Sequence, residues 1–251
     1  MNDFTTFNNF FDHIYIITLR RATERQDLIK TSLAGLNYEF FFGVDKEGQT
    51  ISNMIRQGIY DETLAKENHR YHKAFSIGQV CCAWSHRKVY EDVLINGYSK
   101  VLILEDDVIA TSDLMKTCAA VLNELPVTWE LLYLDYSKNE VSNKLKQSWY
   151  HIQRALGQLS WTHTTIDHLY PKINSEHLAT AGFHDFTSAY AITSAAAEKL
   201  LQLQTPLSYL ADNLLATACT TKLVEGYISR PKIFSQLSQG SDKSTGSFVD
   251  D

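Results

Sequence analysis

Three adjacent carboxylates, Glu105, Asp106 and Asp107, follow the apolar run Val101, Leu102, Ile103, Leu104 without a break. Hard oxygen ligands at such a spacing suit Mg²⁺ or Mn²⁺, ions that keep open positions for substrate phosphates. Alternation along an extended chain sends Glu105 and Asp107 to the same side. A continuous apolar run is how a strand covered on both faces reads, and ligands of open α/β sheets sit beyond the carboxyl ends of the strands. The residues alone leave two readings open. One is a divalent-metal phosphate site, and the other is a set of acids that caps a strand or begins a turn.

Arg20, Arg21 and Arg25 lie around the start of a predicted helix, just after a predicted strand. Backbone N–H groups and guanidinium forks meet there, which suits a phosphate or the ribose of a nucleotide; a solvated basic turn is the alternative. Ser85 and His86 cannot pair as nucleophile and base, because neighbours on a helix point about 100° apart. The chain has neither a Walker-type Gly-rich Lys loop nor an H-E-x-x-H zinc helix. Cys81, Cys82, Cys118 and Cys219 form no C-x-x-C pair and read as four reduced, buried thiols.

The elements that position these residues follow from periodicity. Residues 13–19 read as a strand, and Thr23 with Gln26 as the capping box of a helix whose apolar face is Leu28, Ile29, Leu33 and Leu36. Residues 39–43 are a second strand, so a strand–helix–strand unit opens the chain and points to a parallel α/β sheet. A helix over 78–94 ends at Gly97 and leads into the strand at 100–104. Ser112 and Asp113 can cap a helix reaching Leu125, which Pro126 stops before a strand at 129–134. The strand at 188–193 runs into a helix at 195–203 capped by Ser194. A helix at 208–219, a strand at 223–229 and an edge segment at 231–234 close the pattern. Residues 45–76 and 137–179 carry no clear period; the first reads as a long excursion over the sheet, the second as loops and short helices above it.

With 251 residues, 44% of them hydrophobic, the chain can bury a sizeable core. No interior linker or repeat interrupts it, so one domain over 1–240 is expected, with a mobile tail at 241–251. A formal net charge of -6, mixed in sign along the chain, argues against a general nucleic-acid binder. The first residues lack the basic and apolar regions of a signal peptide, and no apolar run reaches transmembrane length. A cytoplasmic protein is expected, with peripheral association at the inner face of a membrane left open.

Four segments in order carry a resemblance: I-Y-I-I-T-L-R-R-A-T-E-R from Ile14, G-Q-V-C-C-A-W-S-H-R-K-V-Y from Gly78, L-E-D-D-V from Leu104, and S-A-Y-A-I-T-S-A-A-A-E-K-L-L from Ser188 with Pro206 and Asp212 beyond it. Together they resemble the lipopolysaccharide-type glycosyltransferases of family 25, whose eukaryotic relatives glycosylate collagen. Arg20, Arg21, Arg25, Cys82, Ser85 and His86 match, whereas Thr18 and Cys81 stand where the family usually has Asn and Gly.

The resemblance implies a GT-A-like α/β fold with a mixed, mainly parallel sheet flanked by helices. It further implies a UDP-sugar donor, galactose foremost, a divalent ion (Mn²⁺ or Mg²⁺), inversion at the anomeric carbon, and a glycan, lipooligosaccharide or glycoprotein acceptor. In that setting Glu105 and Asp107 are the expected metal ligands, with His184 as a third. Arg20, Arg21, Arg25, Ser85, His86, Glu105 and Asp106 are expected at the donor nucleotide. Asp212 and Asp185 are the candidate bases. Tyr136, Trp149, Tyr150, Trp161 and Tyr170 suit either a sugar-acceptor platform or an ordinary loop core. A metal-dependent nucleotidyltransferase and a catalytically silent sugar- or protein-binding module are the competing functions.

Overall fold

Val101, Leu102, Ile103 and Leu104 are fully buried, because their strand runs through the middle of a sheet that is covered on both faces. The computed structural model describes residues 4–237; the tail expected at 241–251 lies outside the described residues. In chain order the strands are β1 (His13–Thr18), β2 (Glu39–Phe42), β3 (Lys100–Glu105), β4 (Val108–Ala110), β5 (Leu131–Tyr133), β6 (Lys172–Ile173), β7 (Leu178–Thr180), β8 (Ala189–Thr193), β9 (Gly226–Ser229) and β10 (Phe234–Gln236). Eight of them form one mixed sheet in the order β2-β1-β3-β8-β5-β9-β7-β6, while β4 and β10 pair as a small antiparallel ribbon. Pairing is parallel through β2, β1 and β3 and again between β5 and β9, and β8 runs antiparallel between β3 and β5.

The helices are α1 (Thr5–Phe10), α2 (Thr23–Ser32), α3 (Ile51–Arg56), α4 (Glu62–Asn68), α5 (Ile77–Asn96), α6 (Leu114–Glu124), α7 (Lys144–Ala155), α8 (His163–Asp167), α9 (Ser194–Leu203) and α10 (Ala211–Thr220). Strand alternation sorts the core into two layers. Ile14, Ile16, Leu102 and Leu104 pack with Phe7, Ile29, Leu33 and Val121 on the α1, α2 and α6 side. Tyr15, Val101, Ile103 and Tyr190 pack with Val89, Ala197, Leu200 and Leu215 on the α5, α9 and α10 side. Each large apolar side chain so buried contributes roughly 1.5–3 kcal/mol. That two-sided burial fixes β3, and with it the direction in which its acidic end leaves the sheet.

Several termini differ from the pattern in the sequence. Thr23 does not cap α2: the N-cap is Ala22 with no side-chain bond, and Gln26 instead donates to the Leu19 carbonyl at 2.8 Å. Helix α5 begins earlier than expected, at a capping box formed by Ser76 and Gln79, and Gly97 ends it at φ 69°, a left-handed conformation that glycine adopts without strain. Thr193 rather than Ser194 caps α9. Helix α10 starts at Ala211, which puts Asp212 in the first turn rather than deep in the helix. The segment 45–76 contains α3 and α4, and 137–179 contains α7, α8, β6 and the start of β7.

Candidate active site

Strands β1, β2 and β3 end side by side, with Ile17 opposite Glu105 and the Gly43 N–H bonded to the Thr18 carbonyl at 2.9 Å. A cavity of about 450 Å³ opens at that edge, a size suited to a small-molecule ligand. The ends of β1 and β3, the arginines before and in α2, the loop after β2, the first half of α5, Phe186 with Thr187, and the start of α10 line it.

The three acids at the end of β3 have different environments. Glu105 accepts hydrogen bonds from Thr187 Oγ1 at 2.5 Å and from His86 Nε2 at 3.3 Å. His86 Nδ1 lies 2.8 Å from the Tyr190 hydroxyl, which lies 3.0 Å from that of Tyr90. All these bonds are satisfied together when Nε2 carries the proton and Tyr190 donates to Nδ1. Burial opposes the charge on Glu105, but His86, Thr187 and the nearby Arg25 cation outweigh it and hold the carboxyl below its usual pKa.

Asp106 turns the other way. Its two oxygens accept from Thr18 Oγ1 at 2.6 Å and from Arg25 Nη1 at 2.8 Å, inside a pair whose side chains are only 12% and 8% exposed. Burial still raises its pKa, against the two bonds. Breaking such a pair leaves a charge unpaired in the interior, at a cost of about 3–5 kcal/mol. Arg25→Ala is therefore expected to melt about 10 °C lower than the parent, and adding Asp106→Asn should recover part of that loss. Differential scanning calorimetry of the two single variants and the double variant tests the coupling. Strictly additive losses would show that Asp106 does not depend on Arg25.

Asp107 differs from both neighbours. Its Oδ1 is buried and has no hydrogen-bond partner. Burial, reinforced by the negative charge of Glu105, pushes its pKa up to about 7. A desolvated carboxylate oxygen beside a second carboxylate, on a cavity wall, has the character of a cation ligand. Glu105 and Asp107 are thus the acids whose chemistry fits a divalent ion. Cys82, His86 and Glu105 also bring one donor atom each within 4.8 Å of one another, but burial holds the Cys82 thiol protonated.

Asp212 also lines the cavity, half-buried in the first turn of α10. Its Oδ1 accepts from the Asn213 N–H at 2.7 Å. Burial, with the charge of Asp185 second, raises its pKa to about 6. Such a carboxylate is ionised at neutral pH yet more basic than an exposed aspartate. Asp185 itself is ion-paired with Lys138, forms a bridge with Ser137 and does not line the cavity.

Other expected site residues are placed elsewhere. His184 is completely buried, with Nδ1 on the Lys138 carbonyl at 2.9 Å and Nε2 accepting from the Gly182 N–H at 3.0 Å; both nitrogens are in use, so the ring has no lone pair for a metal. Arg20 stacks on Phe42, 4.3 Å from its ring centre, and is not in the cavity wall. Arg21 lines the wall, held by Asp45 at 2.6 Å. Ser85 Oγ donates to the Cys81 carbonyl and accepts from the Val44 N–H, both at 2.8 Å, so it fastens the loop after β2 to α5. Among the aromatic residues, Tyr136, Tyr150 and Trp161 are buried in the core and only Trp149 is substantially exposed.

Thr187 and Tyr190 line or support the candidate site without any signal in the sequence, and Thr18, noted there only as a departure from the family's Asn, holds Asp106. Their bonds to the acids and to His86 span 82 to 104 residues of chain, so no local spacing signals them.

The family model for glycosyltransferase family 25 (LPS biosynthesis protein) matches residues 11–215. A glycosyltransferase 25 family member of Aedes aegypti is 27% identical over 203 residues, covering 79% of this chain and 29% of its own length. A probable inactive glycosyltransferase 25 family member 3 of Bos taurus is 23% identical over 198 residues, covering 77% of this chain and 29% of its own. Procollagen galactosyltransferase 2 of Homo sapiens is 24% identical over 140 residues, covering 54% of this chain and 22% of its own. The chain thus spans less than a third of the length of these curated relatives.

Proposed function

The chain belongs to glycosyltransferase family 25, and from that membership and the site geometry we propose that it transfers a hexose from a UDP-sugar to a hydroxyl of a glycan or glycoconjugate, with inversion. The unpartnered, buried Asp107 oxygen carries this reading, because a donor diphosphate brings a cation with it. Galactose is the first donor to test, given the galactosyltransferase among the relatives. We assign Glu105 and Asp107 to a Mn²⁺ or Mg²⁺ ion in a GT-A-like site.

Such an ion, when bound, neutralises the charge that develops on the leaving diphosphate. The protein's own residues do the rest. Arg21 and Arg25, held by Asp45 and Asp106, place their guanidinium groups in the cavity wall around the start of α2, where a donor phosphate would meet them. His86, oriented by Tyr190, holds the Glu105 carboxylate in one rotamer and one protonation state. Asp212, on the α10 side, takes the proton of the acceptor hydroxyl as the new bond forms at the anomeric carbon. A water-poor cavity favours this transfer, because the sugar passes through an oxocarbenium-like state.

Incubation with UDP-sugars and Mn²⁺ tests the proposal. Slow donor hydrolysis, and transfer once a suitable acceptor is found, should depend on the metal and give a product of inverted anomeric configuration by NMR. The relative named as inactive favours a second reading, a binding module that retains the fold. Tight UDP binding without turnover on any donor or acceptor would support that module, and an absence of UDP binding would defeat both.

A further inference from the structure

Helix α7 is amphipathic in the opposite sense from a normal surface helix. Its core-facing residues are Gln147, Tyr150 and Arg154: Gln147 donates to the Ile166 carbonyl at 2.7 Å, Arg154 to the Trp161 carbonyl at 2.5 Å, and Tyr150 packs with Trp161 and Ile166. These positions, i, i+3 and i+7, make one face. Leu145, Trp149, Ile152 and Leu156 recur at i, i+4, i+7 and i+11 and so fall on the reverse face. They are 86%, 53%, 50% and 64% exposed. Scattered apolar residues on a surface are ordinary, but an aligned stripe of four large ones marks an interaction surface.

Charge indicates what covers it. The chain as a whole carries -6, yet residues 141–166 contain no Asp or Glu. Lys144 and Lys146 are exposed on opposite flanks of the stripe. The acid just before this segment, Glu140, is paired with Lys232 at 2.8 Å. A helix with Leu, Trp and Ile on one face, lysines along both margins and a polar face turned away has the pattern of one lying in the plane of a bilayer interface.

We propose that α7 docks this protein on an anionic lipid surface, with Leu145, Trp149, Ile152 and Leu156 entering the headgroup–acyl boundary and Lys144 and Lys146 meeting the lipid phosphates. This surface is independent of the sugar-transfer reading, since it uses no residue of the cavity. The contact proposed is with the membrane surface; among the described residues no helix is long and apolar enough to cross a membrane.

Vesicle flotation of the full chain tests the proposal. The protein should float with phosphatidylethanolamine–phosphatidylglycerol vesicles and much less with phosphatidylcholine alone, and added salt should weaken the binding. Trp149 fluorescence should shift to the blue on binding, and the shift should vanish in Trp149→Phe. The pair Leu145→Ser and Ile152→Ser should weaken partitioning at least about tenfold, and Lys144→Ala with Lys146→Ala by a similar factor. Thermal unfolding confirms that each variant is folded, and unchanged UDP binding shows that the cavity is intact. The proposal is overturned if the parent fails to float, or if the serine variants float equally well. It is likewise overturned if the parent forms a dimer that these serines dissolve without any lipid binding, which would assign the stripe to a second copy of the chain.

Discussion

Asp107→Asn is expected to lower kcat/KM for sugar transfer about a thousandfold while making the metal-free protein more stable. The first effect follows from the several kcal/mol that a metal ion contributes to stabilising charge on a leaving group, at tenfold per ~1.4 kcal/mol. The second follows from burial: Asp107 Oδ1 has no partner, and its carboxyl is pushed up to about 7. Between the unfolded value near 4 and that value the folded state binds more protons, so stability falls as pH rises, and the full cost persists above pH 7. At pH 8 the stabilisation by asparagine is on the order of 4 kcal/mol as an upper figure, and it should disappear near pH 4. Melting curves of both proteins across pH, with and without Mn²⁺ and UDP, check it. Equal melting at pH 8 without metal would mean that burial does not disfavour the Asp107 charge.

The second large effect concerns Asp212. Asp212→Asn should reduce kcat by roughly 10²–10⁴, the range for loss of a general base, with little change in UDP affinity. The parent's kcat should fall as pH drops through about 6, because protonation of the raised Asp212 carboxyl removes the acceptor's base, and it should level off above that. In Asp212→Asn the arm of the profile near pH 6 should be absent. Asp185→Asn is the informative contrast. It leaves the cavity wall intact but removes a charge that raises the Asp212 pKa, so it should shift this arm to lower pH without abolishing turnover. If Asp185→Asn proved the more damaging change, the base would have to be reassigned.

Where the physics is local, the sequence was readable. The run from Val101 to Leu104 is apolar at every position because both faces of β3 are covered, and its acids are adjacent, so strand and candidate ligands could be seen together. What separates the three acids was not readable. Asp106 is occupied by Thr18 and Arg25, and Glu105 by Thr187 and His86, partners that approach only through the fold. Thr23 and Gln26 had the spacing of a capping box, but the Leu19 carbonyl competed successfully for the Gln26 amide. The choice between Asp212 and Asp185 depends on Lys138, which occupies Asp185. The short helices expected within 137–179 could not be placed from the sequence: the apolar stripe of α7 and Tyr150 lie on opposite faces, which blurs the single amphipathic period of a core helix.

Electron paramagnetic resonance of Mn²⁺ titrated with UDP tests most directly whether the acids at the end of β3 hold a nucleotide-bound metal. The parent protein should bind Mn²⁺ in a UDP-dependent way. Asp107→Asn should lose that signal, and Asp212→Asn should keep it. Binding that is undiminished in Asp107→Asn, or absent from the folded parent, would contradict the assignment of this site.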